Sequence, residues 1–425
     1  MAAAFRFVHC ADVHLDTPYR CRDADLRATL QRAGRAAFTR VVDLCLGERV
    51  HALLVAGDLF DGERLALPTA AFLSTQLQRL ADAGIATVLA TGNHDPRGSQ
   101  AHAAVPWPRE FVTRIEGDRQ LDVDVRDARG VVVGRVSGIG HDGPRVTTNL
   151  VTRLTRPAGD VPTVGLAHAQ VEAAREGANH RPYAPCSTHD LLRADFDYWA
   201  LGHVHRRQRV LDAPQAWYPG NLQGRHHGEP GPRGALLVTL ERGHAEVAFH
   251  AVAPVRWETF EVTALRDVHD LGALGARLGQ AFAAHLAQPD GGDDVAHEAP
   301  IEGRLLRIVL RGECPLAEGL DEALVRELED DLREHLGVLA VELRPEDAFT
   351  SLASEDPRDG HDVLATALEL LDELEHDDAL LDGVAPTQLA SIAGTDPDDR
   401  RERLRALLPG LDHALVAAMR RGARR

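Results

Sequence analysis

Residues 5–19 read FRFVHCADVHLDTPY: an apolar run, broken by Arg6 and His9, that ends on Asp12 and His14. Alternate residues of an extended chain point the same way, so this carboxylate and imidazole can reach toward one point beyond a strand end. Alone, the triplet fits a turn or a polar pair as well as a metal site. The device recurs in HALLVAGDLFD (51–61), IATVLATGNHD (85–95), TVGLAHAQV (163–171) and DYWALGHVH (197–205). Each has four or five consecutive apolar or small residues, the pattern of a strand buried on both faces, and each closes on polar side chains.

Between the first three runs, residues 23–50 and 67–84 repeat apolar residues at three- and four-residue steps, the latter with Pro68 near its start and Gly84 after its end. Strand, helix, strand predicts an α/β domain, whose ligands sit beyond the carboxyl ends of the strands. Residues 119–136 (RQLDVDVRDARGVVVGRV) alternate apolar and charged side chains about a turn, which predicts a hairpin in a second sheet. A further strand is expected at 234–252. The architecture implied is two mixed sheets covered by helices. Residues 255–345 read as a small α+β unit, with strands at 257–263 and 304–311 and helices at 267–287 and 320–336. From 346 onward the chain is acidic and helical.

The bulk properties suit a packed chain: 425 residues, 44% hydrophobic, with no apolar run approaching the ~20 residues of a membrane span. The start, MAAAFRF, lacks the pattern of a secretory signal, and the five cysteines show no C-x-x-C spacing. Both features lead us to expect a cytoplasmic protein with reduced thiols. All 47 basic residues are arginine. Residues 1–250 carry 29 Arg against 28 Asp and Glu, whereas 251–425 carry 18 against 37, a net −19. So acidic a chain disfavours tight unaided binding to nucleic acid, but the near-neutral first part leaves room for a phosphate site.

The side chains at the strand ends are Asp12, His14, Asp58, Asn93, His94, His168, His203 and His205. Oxygen and imidazole donors without a thiolate exclude a structural zinc cluster and suit hard to borderline divalent ions. So many imidazoles lean toward manganese, iron or zinc over magnesium. Two such ions roughly 3.5–4 Å apart are the usual equipment for phosphoester cleavage. Either Asp58 or Asn93, taken singly, could merely cap the next helix. Arg225 and His226 follow a Gly-rich turn and read equally as phosphate contacts or as a surface loop.

DVH, GDLFD, GNHD, AHAQV and GHVH, in that order, resemble the five sequence blocks of the calcineurin-like metallophosphoesterases over roughly residues 5–250. HLDTPY, YAPCSTHDLL (183–192) and YPGNLQGRHHGEPGPRG (218–234) are similar to the bacterial DNA repair exonucleases of the YhaO and SbcD type within that superfamily. The resemblance implies a two-sheet α/β/β/α metallophosphoesterase (nuclease) domain at 1–253, an α+β capping domain at 254–345 and an acidic helical segment at 346–425. It places one ion on Asp12, His14, Asp58 and His205 and the other on Asp58, Asn93, His168 and His203, with Asp58 bridging. His94 would act on the scissile phosphate and Asp61 would orient it.

The activity implied is a metal-dependent exonuclease on DNA ends, 3′ to 5′ and with single-strand endonuclease activity a further option, using two divalent ions, Mn2+ first among them with Fe, Zn or Mg as alternatives. A phosphatase or phosphodiesterase acting on nucleotides or other small phosphoesters is the rival. The partners implied are DNA and an SMC-like coiled-coil ATPase, with a homodimer also compatible and no membrane. Leu364, Leu368, Leu371 and Leu374 form an apolar stripe in the acidic tail, either an ATPase docking face or a face packed on the capping domain.

Overall fold

The computed structural model describes residues 4–21, 23–62, 64–174, 183–287, 295–350 and 363–384, together with 401, 404, 405, 408 and 411. Two sheets form the N-terminal fold. In the first, β1 (Phe5–Cys10), β2 (Ala52–Ala56), β3 (Ala86–Ala90) and β4 (Val112–Ile115) run parallel, each beside the next. The second holds β5 (Leu121–Arg126), β6 (Val132–Ile139), β7 (Thr163–His168), β8 (Tyr198–Gly202), β9 (Gln208–Asp212) and β10 (Gln215–Tyr218), in the order β5-β6-β7-β8-β10-β9. The first sheet is completed on its β1 side by β11 (Gly234–Glu241), β12 (His244–Ala251) and, beyond β13 (Val255–Val262) in the chain, β14 (Val295–Glu298).

The pleat explains the continuous apolar runs. Along β1, Phe5 and Phe7 enter the core between the sheets while Val8 and Cys10 enter the core beneath α1 (Ala24–Glu48) and α2 (Leu67–Asp82). Both faces of the strand are therefore dry, and alternation vanishes from the sequence. Asp23 caps α1 by accepting from the amides of Asp25 and Leu26, and Pro68 sits in the first turn of α2. A short α3 (Gln100–Ala104) follows β3, and α4 (Thr188–Arg193), begun by a Ser187–Asp190 capping box, helps cover the second sheet with Leu191. The fold is thus a mixed α/β arrangement of two helix-covered sheets, the architecture that the resemblance implies, with further helical and small C-terminal regions.

Contacts divide the chain into two compact units, Met1–Thr259 with Gln288–Leu306 and Val338–Ala340, and Phe260–Ala287 with Arg307–Gly337 and Val341–Arg425. β13, β15 (Gly303–Glu313) and β16 (Ala340–Phe349) form a three-stranded sheet in the order β13-β15-β16. The second unit holds α5 (Leu271–Leu286), α6 (Glu322–Leu336), α7 (Val363–His376) and α8 (Asp378–Val384). Leu374 packs with Leu381 and Leu404, with Leu371 alongside, so these members of the stripe are used within the helical segment itself. The side chains of Leu364 and Leu368 lie outside the described residues. No helix among the described residues is long and apolar enough to cross a membrane.

The region 234–252, expected as one strand, is the hairpin β11–β12, turned at Gly243 with φ 78°. Glycine enters this left-handed region without the clash a Cβ would cause.

His9, in the middle of β1, is fully buried between the sheets. Its Nε2 lies 3.2 Å from the Leu201 carbonyl and its Nδ1 3.2 Å from the Tyr198 hydroxyl. A carbonyl only accepts, so Nε2 carries the proton and Nδ1 accepts, a neutral ring with both nitrogens paired. Burial, only partly opposed by the Leu201 bond, lowers its pKa from 6.5 to about 3. Because the folded value lies below the unfolded one, the stabilisation is complete above pH 6.5 and is lost as pH falls toward 3. The loss is about 1.4 kcal/mol per pH unit. In His9→Gln, the urea-unfolding free energy should therefore fall less steeply from pH 6 to pH 4, by the equivalent of about one proton. Identical slopes in the two proteins would contradict it.

Candidate metal centre

All five polar loops follow the carboxyl ends of β1, β2, β3, β7 and β8 and meet at one place. The convergence of Asp12 and His14 has a different cause from the pleat expected in the sequence. β1 has ended at Cys10, and both residues adopt left-handed backbone, with φ 50° and 48°. Asp58 (φ 50°) and His203 (φ 105°) share this region of positive φ. Such conformations in non-glycine residues store about 1–3 kcal/mol each and persist where the surrounding contacts over-determine them. Here the amides of Asp12 and His14 donate to the carbonyls of Gly57 and Asp58 at 3.1 and 3.0 Å, which locks the first loop to the second.

Asp12, His14, Asp58, His168 and His203 are buried. Asp12 accepts from the His203 amide at 3.1 Å, and Asp58 Oδ1 accepts from the His94 amide at 2.8 Å. Asp58 Oδ2 lies 3.4 Å from His168 Nε2 and 3.8 Å from His14 Nε2. His205 Nε2 is 3.6 Å from Asp12 Oδ1 and 3.2 Å from His14 Nε2. Asn93 Oδ1 faces His168 Nε2 at 2.9 Å and His203 Nδ1 at 3.2 Å. Among the described residues three overlapping triads hold their donor atoms within 4.8 Å: Asp12, His14 and His205; Asp12, Asp58 and His168; His14, Asp58 and His94.

The cluster is short of positive charge, which tests whether a cation suits it. Burial, with the Arg225 guanidinium beside it, lowers the pKa of His14 to about 3, so its ring is neutral at pH 7. His205 Nδ1 donates to the Glu229 carboxylate at 2.7 Å, which leaves the Nε2 lone pair facing His14 as an acceptor. With the His14 proton on Nδ1, two lone pairs face each other across 3.2 Å. With it on Nε2, the Nδ1 lone pair faces Asp61 Oδ1 at 2.9 Å. An added positive charge, proton or metal ion, relieves either conflict. The same field acts on His168, whose Nδ1 donates to the Ala56 carbonyl at 2.9 Å. Burial would lower its pKa, but the carboxylates of Asp58 and Asp12 raise it to about 9. A pocket that draws a proton this strongly suits a divalent cation, and its oxygen and imidazole donors suit a hard to borderline one. Cys10, although near in sequence, faces the helix-side core.

His94 lies at the edge, its side chain 41% exposed, with Nδ1 3.2 Å from Asp61 Oδ1. The Asp61 contact, stronger than the opposing effect of burial, raises its pKa above the ordinary 6.5. Asp61 also meets the Arg225 guanidinium at 3.2 Å. Of the two expected phosphate contacts, Arg225 is therefore ion-paired and largely buried, whereas the His226 side chain is 63% exposed.

Two buried carboxylates that brace the cluster escaped the sequence reading. Asp95, fully buried, accepts from the amides of Gly92 at 2.8 Å, Leu59 at 2.8 Å and Phe60 at 3.3 Å, and so ties the second loop to the third. Its signal was its place as the last residue of GNHD. Glu229, the partner of His205, stands in the GEP stretch of the Gly-rich loop without a periodic pattern around it. Gly92 is required by close approach: a Cβ there would overlap Asp58 Oδ1 and lie 2.7 Å from the Asp58 amide nitrogen. Gly92→Ala should push the Asp58 carboxylate aside and weaken Mn2+ binding at least about tenfold, read by calorimetric titration. Unchanged affinity would show that the carboxylate does not sit where the ions bind.

A family model described as calcineurin-like phosphoesterase matches residues 5–207. Similar proteins include the uncharacterized metallophosphoesterase YhaO of Bacillus subtilis, 31% identical over 266 residues that make up 61% of this chain and 63% of that one. The SbcD component of the SbcCD nuclease of Rhodobacter capsulatus is 29% identical over 378 residues, 75% of this chain and 84% of that protein. The DNA double-strand break repair protein Mre11 of Aeropyrum pernix is 27% identical over 264 residues, 59% and 61% of the two chains. The chain thus spans under two thirds of the length of the first and third of these relatives. Because the matched span carries all five loops that build the buried cluster, residues 5–207 are a domain of the calcineurin-like metallophosphoesterase family.

Proposed function

We propose that this chain is a dinuclear metal-dependent phosphodiesterase that acts on DNA ends as a 3′ to 5′ exonuclease, with Mn2+ as its first-choice ion. The observation that carries the reading is the overlap of the donor triads: Asp58 belongs both to the triad with Asp12 and His168 and to the triad with His14 and His94. Asp12, His14, Asp58 and His205 would hold one ion, and Asp58, Asn93, His168 and His203 the other. Divalent ions bound there would supply an activated water and withdraw charge from the phosphate. His94, held through Nδ1 by Asp61, would present Nε2 to the leaving oxygen and protonate it. His226 is exposed enough to meet a neighbouring phosphate, and Arg225 can do so only with the edges that Asp61 leaves open. DNA as substrate is supported by the nuclease and DNA-repair names of two of the relatives.

We assign the chemistry to 1–253, a capping role to 254–345 and docking to an SMC-like ATPase to the acidic segment 346–425, where a partner's basic surface would offset the net negative charge. The deciding experiment gives the purified chain Mn2+ together with 5′-end-labelled single- and double-stranded DNA, and separately bis-p-nitrophenyl phosphate. The proposal expects a ladder shortening from the 3′ end as well as hydrolysis of the small diester. Hydrolysis of the diester with DNA left intact would favour a phosphodiesterase of small phosphoesters.

A further inference from the structure

The two-ion reading leaves Glu229 without a role. It is buried, 5% exposed, and lies 24 residues after His205 in the loop between β10 and β11. Its Oε1 stands 2.7 Å from His205 Nδ1, while its Oε2 accepts from Asn221 Nδ2 at 2.7 Å and from the Arg225 amide at 2.8 Å. An ionised carboxylate can only accept, so the contact fixes the His205 proton on Nδ1 and leaves the Nε2 lone pair, a metal-binding electron pair, on the side of Asp12 and His14. The loop itself has other anchors. Gln223 Nε2 donates to the Val255 carbonyl at 2.6 Å, Trp257 Nε1 to the Gly224 carbonyl at 2.7 Å, and the Asn221 side chain to the Gln223 carbonyl at 2.9 Å. Of the groups that face Oε1, His205 Nδ1 at 2.7 Å is within hydrogen-bond distance, while Arg225 Nη2 and His226 Nε2 stand farther off at 3.6 and 3.5 Å. Arg225 approaches the same ring nitrogen at 3.2 Å, but with a group that cannot accept its proton.

We infer that Glu229 is a positioning residue of the metal centre: it fixes the tautomer and ring orientation of His205 and so sets the affinity of the ion site that His205 serves. The inference rests on the two-ion reading above and adds a residue that the five loop motifs do not contain. Carboxylates that orient a ligating histidine typically change metal affinity 10- to 100-fold when removed.

The test titrates Mn2+ into the chelator-stripped full chain, following heat by calorimetry and free ion by electron paramagnetic resonance, with far-ultraviolet circular dichroism as the check on folding. The wild-type chain should bind two ions. Glu229→Gln should weaken one of them by about 10- to 100-fold and leave the other within about threefold, because the amide keeps the shape and loses the charge. Glu229→Asp, which keeps the charge but withdraws the oxygen, should fall between. A folded Gln variant with both affinities unchanged, or with both lowered equally, would overturn the inference. So would failure of both variants to fold, since Glu229 would then serve the loop instead of the histidine. A wild-type chain that binds fewer than two ions would overturn the two-ion reading beneath it.

Discussion

Asp58→Ala is expected to reduce the bound metal from two ions to less than one per chain and to lower turnover by at least about 10³-fold, since each ion supplies several kcal/mol of transition-state stabilisation. Asp58 is 1% exposed and faces both halves of the cluster, with Oδ2 3.4 Å from His168 Nε2 and 3.8 Å from His14 Nε2. A carboxylate there would lower the mutual repulsion of two cations; alanine would leave Asp12 as the one carboxylate among the proposed ligands. His14→Ala, by contrast, should mainly lose one ion. Aspartate also tolerates the φ of 50° at this position better than alanine does. Asp58→Asn, which keeps that tolerance and an acceptor for the His94 amide, therefore separates loss of charge from loss of fold. Elemental analysis of reloaded protein reads the stoichiometry. Two ions retained in Asp58→Ala would mean that this carboxylate does not bridge them.

His94→Ala is expected to keep both ions and lose 10²- to 10⁴-fold in turnover, the usual contribution of general acid catalysis. The partial exposure of its side chain and its Asp61 contact suit a group that meets substrate more than one that closes a metal shell. Yet His94 shares a triad with His14 and Asp58, so geometry alone would admit it as a ligand. Loss of one ion together with activity in His94→Ala would place it there. Asp61→Asn should show a smaller loss, because the amide still accepts from the ring but no longer raises its pKa. That variant also touches the His14 side chain, 2.9 Å from Asp61, so its metal content has to be measured beside its rate.

The layers were legible in the sequence because their strands are buried on both faces. The runs at 51–61 and 197–205 carry no alternation, and Leu53 and Leu54 fill different cores on opposite sides of one strand. β14 was not legible: four residues with mostly exposed side chains pair with β12 along a single edge, and neither period nor apolar content marks them. β16 was missed because it mixes charged and apolar residues and straddles the boundary drawn at 346, between the unit read as α+β and the segment read as acidic and helical. The donors of the site were legible because each follows a strand end that could be read. What brings Asp12 and His14 together, a pair of left-handed residues, was not, since aspartate and histidine tolerate that conformation without requiring it, and here the contacts to Gly57 and Asp58 hold them in it. Asp95 and Glu229 act through hydrogen bonds to groups 36 and 24 residues away, a relation that no local spacing encodes.

Metal occupancy and chemistry can be linked in a single titration. Mn2+ is added in fractions of an equivalent to chelator-stripped protein while hydrolysis of bis-p-nitrophenyl phosphate is followed. A two-ion centre should show little activity up to one ion per chain and a rise to the full rate as the second binds. Full activity at one ion per chain, or activity independent of added metal, would contradict it.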